Sequence, residues 1–236
     1  MINAVAGGGT LVSFPVLVAL GVPAVDANVT NTVALVPGYL GGAFTQRSDL
    51  ATYATRLKWL MVAAAAGGLA GSILLVNTSD EVFRRLVPFL ILTACALLGF
   101  QDQIKAWYSR YGERELADSQ KHPLALSISV FIGAIYGGYF GAGLGIMLLA
   151  ILGLALDDPL PRINSLKTSL SLVINVLAAS FFVFSGRVHW SFAAIMALAS
   201  LIGGATGGKI AGRLNPRVMR KVVVTFGVIV AVRFFI

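Results

Sequence analysis

"PLALSISVFIGAIYGGYFGAGLGIMLLAILGLAL" occupies residues 123–156, and its reading decides the fold. The stretch is almost wholly apolar and is interrupted by "GGYFGAGLG" at 137–145. One straight crossing needs roughly 20 apolar residues, so the run is too long for one span and too short for two full ones. A re-entrant hairpin fits it: a half-helix in, a glycine-rich break, and a half-helix back out. Non-helical backbone at membrane depth is tolerated only where protein buries it or a wet cavity solvates it. The break therefore marks a protected interior place.

The rest of the chain agrees with a bilayer as its solvent. Of its 236 residues 57% are apolar and 12% charged, about half the charged share of a soluble domain. Further apolar blocks cover 56–76, 86–100, 169–184, 191–212 and 222–236. A soluble protein with buried helices would need polar faces that these segments lack. The net charge of +8 comes without any Lys/Arg run interleaved with aromatics, which argues against nucleic acid. Basic residues in membrane proteins collect in cytoplasmic loops instead. The single cysteine, Cys95, excludes an intramolecular disulfide. His122 and His189 stand at segment edges, where interfacial placement explains them more simply than metal binding. No cofactor, metal site or catalytic group is expected, and the chain does not read as an enzyme.

The chain also repeats itself at one fixed offset. A single shift carries Gly7 and Gly9 onto Gly143 and Gly145, Pro23 onto Pro159, and Asn28 and Thr32 onto Asn164 and Thr168. The same shift carries Gly67, Gly68 and Gly71 onto Gly203, Gly204 and Gly207, and Arg84 onto Arg220. The expected organisation is a first transmembrane repeat over 1–100, a cytoplasmic linker over 101–122, and a second repeat over 123–236. By repeat logic "AVAGGGTLVSFP" at 4–15 is the break and second arm of the first hairpin. The apolar 123–136 has no counterpart in the first copy, so the natural protein is expected to start upstream of Met1 or to be a truncated gene product.

Charge decides the orientation of the copies. If each hairpin returns to its own side, loops 45–58, 101–122, 157–167 and 209–221 share one face and carry fourteen of the 18 Lys and Arg residues. If the hairpins cross, the same residues divide almost evenly. The positive-inside rule selects the first arrangement. The expected fold is thus an all-α polytopic membrane protein of two inverted repeats, each a re-entrant hairpin plus three transmembrane helices, the first hairpin N-terminally truncated. Inverted repeats with broken helices are a recurring plan of secondary transporters, whose substrate sits at the repeat interface.

Polar residues then acquire a role. Asn164, Lys167, Thr168, Ser171 and Asn175 follow the second break at helical spacing and form one face. Asn28, Asn31 and Thr32 repeat the start of that stripe in the first copy, and Tyr39 extends it. Glycine-rich breaks and helix N-termini hold anions through backbone N–H groups and the positive dipole end. Lys167 adds a charge, and an intramembrane charge is a functional candidate by default. The expected binding set for a small anion is Gly7, Gly8, Gly9, Asn28, Asn31, Thr32, Gly141, Gly143, Asn164, Lys167, Thr168 and Asn175. Each has a plainer alternative. Asn and Thr serve as helix caps, Lys167 snorkels to the cytoplasmic interface, and glycines let helices pack closely.

"AVAGGGTLVSFPVLVALGVPAVDANVTNT" (4–32), its echo "YFGAGLGIMLLAILGLALDDPLPRINSLKTS" (139–169) and "LVINVLAASFFVFSGRVHW" (172–190) carry a resemblance. Together they resemble the sulfite exporter TauE/SafE family of membrane permeases, over nearly the whole chain. The resemblance implies a multi-pass permease of the cell inner membrane that exports sulfite or an organosulfonate such as sulfoacetate or sulfolactate. Its partners would be a small anionic substrate and the lipid bilayer, with no nucleic acid, and a homodimer is compatible with it. The alternatives at this stage are an anion channel or a permease for another small anion.

Overall fold

The computed structural model describes residues 9–44, 54–100, 102–103, 106, 123–156, 158, 160–211 and 216–235. The main elements are helices: α1 Gly9–Ala19, α2 Ala24–Phe44, α3 Ala54–Asn77, α4 Asp80–Gly99, α5 Pro123–Tyr139, α6 Leu144–Ala155, α7 Leu160–Val183, α8 Trp190–Ala211 and α9 Pro216–Phe235. No strand occurs among the described residues. Three helices among them, Lys58–Asn77, Asp80–Gly99 and Arg162–Val183, are long and apolar enough to cross a membrane. Sequence alone had led to six crossings.

The hairpin at 123–156 forms, with unequal arms. α5 has 17 residues and α6 has 12, which at 1.5 Å per residue is about 25 Å and 18 Å. The first arm is thus more than a half-helix. The turn between them depends on Gly141 and Gly143, with φ of 76° and 75°, a region closed to most L side chains. Tyr136 donates its hydroxyl proton to the Ala142 carbonyl at 2.7 Å and closes the turn from below.

Close approach of backbones sets α5 against α3. A Cβ at Gly67 would strike the carbonyl oxygen of Phe131, and one at Gly71 that of Ile135. Contacts therefore advance along both helices together, and α3 and α5 run in the same direction. α6 returns antiparallel, with Leu144 against Gly137 and Ile151 against Gly133. α7 runs with α3: Ile174 lies against Gly68, and Arg187, just past the end of α7, reaches the Val76 carbonyl at the end of α3. α2 begins at that far end, where Asp26 meets Arg187, and Ser200 of α8 donates to the Ala34 carbonyl beside it. α4 starts at the far end as well and lies antiparallel to α9, with Cys95 near Val224 and Ile91 near Gly227.

Ser79 caps α4 by accepting from the Val82 N–H, and Asp80 and Glu81 complement the positive end of its dipole. Helix bounds recur at the offset read from the sequence. The starts of α2 and α7 are related by it, as are those of α3 and α8, and α4 and α9 match at both ends.

Two apolar clusters fill the interior. One gathers Leu60, Ala64, Val130, Leu148, Leu152, Ile163, Leu166 and Leu170 around α3, α5, α6 and α7. The other runs from Leu98 and Val223 to Phe83 along α1, α4 and α9 and holds an aromatic group at the far end. There Phe14 packs edge-on to Phe140 at 5.6 Å and to Phe83 at 6.2 Å, and stacks on Phe234 at 6.3 Å. The exterior is apolar too: Leu124 is 73% exposed, Trp59 71% and Ile195 67%. Such residues in contiguous helical faces suit lipid rather than water.

Candidate functional site

The residues singled out by sequence fall into two clusters. The first lies on α1, α2 and the hairpin turn. Asn28 is buried one turn into α2 and donates its amide N–H to the Tyr139 carbonyl at 2.8 Å. It thus caps the C-terminus of α5, not the helix that carries it. Its Oδ1 is buried and has no donor. Asn31, also buried, lies one turn on, with its Oδ1 within hydrogen-bond reach of the Ser13 hydroxyl on α1. Ser13 Oγ is also 2.9 Å from the Gly9 carbonyl oxygen. Thr32 donates to the Asn28 carbonyl at 3.0 Å. Gly9 opens α1, whereas Gly7 and Gly8 lie outside the described residues.

The second cluster lies on α6 and α7. Lys167 Nζ donates to Asn164 Oδ1 at 2.8 Å. Its stem passes against the first turn of α6, where a Cβ at Gly145 would stand 3.9–4.0 Å from Cδ, Cε and Nζ. The half-buried ammonium is therefore drawn toward the hairpin break. Thr168 donates to the Asn164 carbonyl at 2.8 Å, the same bond that Thr32 makes to Asn28 in the first copy. Asn175 donates to the Ser171 carbonyl at 2.7 Å within α7, and Ser171 Oγ is buried without a partner. Gly141 and Gly143 stand in the turn, and Gly143 packs on Ala94 of α4.

Both clusters abut the hairpin break: Asn28 bonds the Tyr139 carbonyl on one side of it, and the Lys167 stem passes Gly145 on the other. The Thr32 and Thr168 hydroxyls thus each donate to a carbonyl of their own helix. One polar group lay outside the expected set. Arg187 Nη1 donates to Asp26 Oδ1 at 3.2 Å, His189 Nε2 is 3.6 Å from Asp26 Oδ2, and the His189 N–H donates to Thr30 Oγ1 at 3.0 Å. The "SGRVHW" motif at 185–190, with Gly186 at φ 72°, is thereby tied to the start of α2. Its only sequence signal was the motif itself. A cavity of about 400 Å³ at the far end is lined, among the described residues, by Asp80, Glu81, Arg84, Arg85 and Phe234, none of them an expected site residue.

Crossing helices, a broken hairpin and a lipid-facing exterior define a polytopic helical membrane protein. The chain belongs to the sulfite exporter TauE/SafE family, whose pattern matches residues 1–234, and so to a family of membrane transporters. It is 26% identical over 225 residues to a probable membrane transporter protein of Haemophilus influenzae, spanning 94% of this chain and 85% of that one. It is 25% identical over 246 residues to probable membrane transporter protein ORF9 of Sinorhizobium sp, spanning 98% and 86%. It is 22% identical over 237 residues to probable membrane transporter protein YfcA of Escherichia coli K12, spanning 98% and 84%. No solved structure matches the chain.

Proposed function

We propose that the protein is a secondary transporter that exports a small anion, sulfite or an organosulfonate, from the cytoplasm across the inner membrane. The family's description supports the substrate class. The observation that carries the reading is Lys167, whose ammonium sits on Asn164 Oδ1 beside the N-terminal turn of α6. A helix N-terminus offers free N–H groups and a positive dipole end, and an ammonium beside it deepens the attraction for an oxyanion. Asn164 holds the ammonium through Oδ1, which leaves its amide N–H groups as donors. Gly145 leaves room: a side chain larger than that of Ala would crowd Nζ.

Alternating access of two inverted halves is the proposed mechanism. Supporting it, matched helices run in opposite directions. α2 starts at the far end and α7 at the near end, and the α3–α8 and α4–α9 pairs are likewise reversed. Most basic residues flank helix ends at the near end, which the positive-inside rule assigns to the cytoplasm. The Asp26–Arg187 bond and the aromatic cluster then close the path at the far end. Reconstitution of the full-length protein in proteoliposomes, with sulfite, sulfoacetate, sulfate and chloride tested side by side, is the direct test. Saturable uptake of a sulfur oxyanion with counterflow is expected. Flux that neither saturates nor shows counterflow would make the protein a channel.

A further inference from the structure

The cavity at the far end lies between the first turns of α4 and the last turn of α9, and its charges are not spent on one another. Asp80, Glu81, Arg84 and Arg85 bring two carboxylates and two guanidiniums to its wall, beside the Phe234 ring. Asp80 Oδ1 accepts the Val25 N–H at 3.0 Å, and Glu81 Oε1 accepts from Arg85 Nη2 at 2.6 Å. Among the described residues, no bond engages Asp80 Oδ2, Glu81 Oε2 or the Arg84 guanidinium. Arg85 gives one of its five N–H donors to Glu81 and keeps the rest. Arg84 also stands on the face that the positive-inside rule leaves poor in Lys and Arg.

The repeat offset supplies a comparison. It carries Arg84 and Arg85 onto Arg220 and Lys221 at the start of α9, and Asp80 and Glu81 onto Pro216 and Arg217. The matching turn at the near end thus has three basic residues and no acid, a composition that attracts anionic headgroups. At the far end the same two cations are offset by two carboxylates, a composition that complements a zwitterion. The walls of the cavity continue into lipid-facing surface. Val82 and Phe89 are exposed on the same face of α4 as Arg85, and Ile229 and Val232 are exposed on α9. A free ion would leave this apolar flank unused, whereas a lipid covers it. We propose that the cavity binds the phosphoethanolamine headgroup of a bilayer phospholipid. Arg84 and Arg85 donate to its phosphate oxygens, and Asp80 Oδ2 and Glu81 Oε2 accept from its ammonium. The acyl chains lie along the exposed faces of α4 and α9. A glycerol headgroup brings no cation for the carboxylates, and a choline headgroup brings one without N–H donors. Binding stands independently of transport.

The test is the thermal stability of the purified, delipidated full-length protein in detergent. It is titrated with phosphatidylethanolamine, phosphatidylcholine, phosphatidylglycerol or soluble phosphoethanolamine. A ligand that binds only the folded state raises Tm with concentration. The comparison of the natural protein with Arg84→Gln isolates this cavity from any other lipid contact. Arg84 is exposed and makes no bond to another described residue, so the variant should keep the Tm of the lipid-free protein. Phosphatidylethanolamine should give a saturable rise whose midpoint moves upward by about tenfold or more in Arg84→Gln, as loss of a charge-assisted bond does. The responses to the other two lipids should be the same in both proteins. Glu81→Gln, which removes one carboxylate, should narrow the preference for phosphatidylethanolamine over phosphatidylglycerol. An unchanged phosphatidylethanolamine midpoint in Arg84→Gln would overturn the site. A response to phosphatidylglycerol or phosphatidylcholine that depends as strongly on Arg84 would overturn the zwitterion match. Soluble phosphoethanolamine acting as well as the lipid would make the occupant a free solute and overturn the lipid.

Discussion

Three polar residues at the far end of the bundle, Asn28, Arg187 and His189, bond to other elements, whereas the bonds that Lys167, Thr168, Ser169 and Asn175 make along α7 lie within α7. At the far end, Asn28 reaches the end of α5, Arg187 reaches Asp26 and Val76, and the His189 N–H reaches Thr30, across 111 to 161 residues of chain. Along α7, Lys167, Thr168, Ser169 and Asn175 all bond to α7 residues three or four positions back. The first set fixes helices to one another. The second leaves packing untouched when one of its members turns to a ligand. On the proposed function, residues of similar chemistry in matched positions serve assembly at one end and ligand binding at the other.

This contrast can be broken by substitution. Lys167→Ala should have the largest effect, lowering anion affinity by about tenfold or more, or roughly 1.4 kcal/mol, with little change in Tm. Lys167→Arg should keep part of the affinity. Uptake kinetics in proteoliposomes read both, and unchanged affinity in Lys167→Ala would take that residue out of the site. Asn28→Ala removes a buried bond to the α5 terminus and should destabilise the protein by about 1–3 kcal/mol, seen as a lower Tm in detergent. Arg187→Ala should cost less, about 1 kcal/mol, because the pair is partly exposed and solvent screens it. The exchange of Asp26→Arg with Arg187→Asp should restore part of that loss. Thr168→Val should do least, within about 0.5 kcal/mol in stability and without loss of anion affinity, since its proton already serves the Asn164 carbonyl.

Much of the hairpin was legible because its signal is local. An apolar run longer than one span, broken at 137–145, fixes a turn, and Gly141 and Gly143 supply the positive φ that the turn requires. The α3 glycines were ambiguous between packing and binding. The structure uses Gly67 and Gly71 to admit the α5 backbone. Partners were not legible. Helical spacing places Asn28 and Asn31 on one face, yet says nothing of Tyr139 or Ser13, which come from other elements. Nor does it reveal that Thr32 and Thr168 turn their protons back to their own helices, a choice between local and distant acceptors that sequence leaves open. The Asp26–Arg187 pair, 161 residues apart, becomes visible only once the ends of α3 and α7 meet the start of α2.

The opposed directions of the two halves are the central claim, because the proposed alternating access rests on them. Their direct test is labelling of single cysteines at Lys58, Lys221, Thr78 and Ser185 with a membrane-impermeant thiol reagent, in a Cys95→Ala background in intact cells. The account predicts that Thr78 and Ser185 react from outside, whereas Lys58 and Lys221 react only after the cells are opened. Labelling of Lys58 and Lys221 from opposite faces would contradict it.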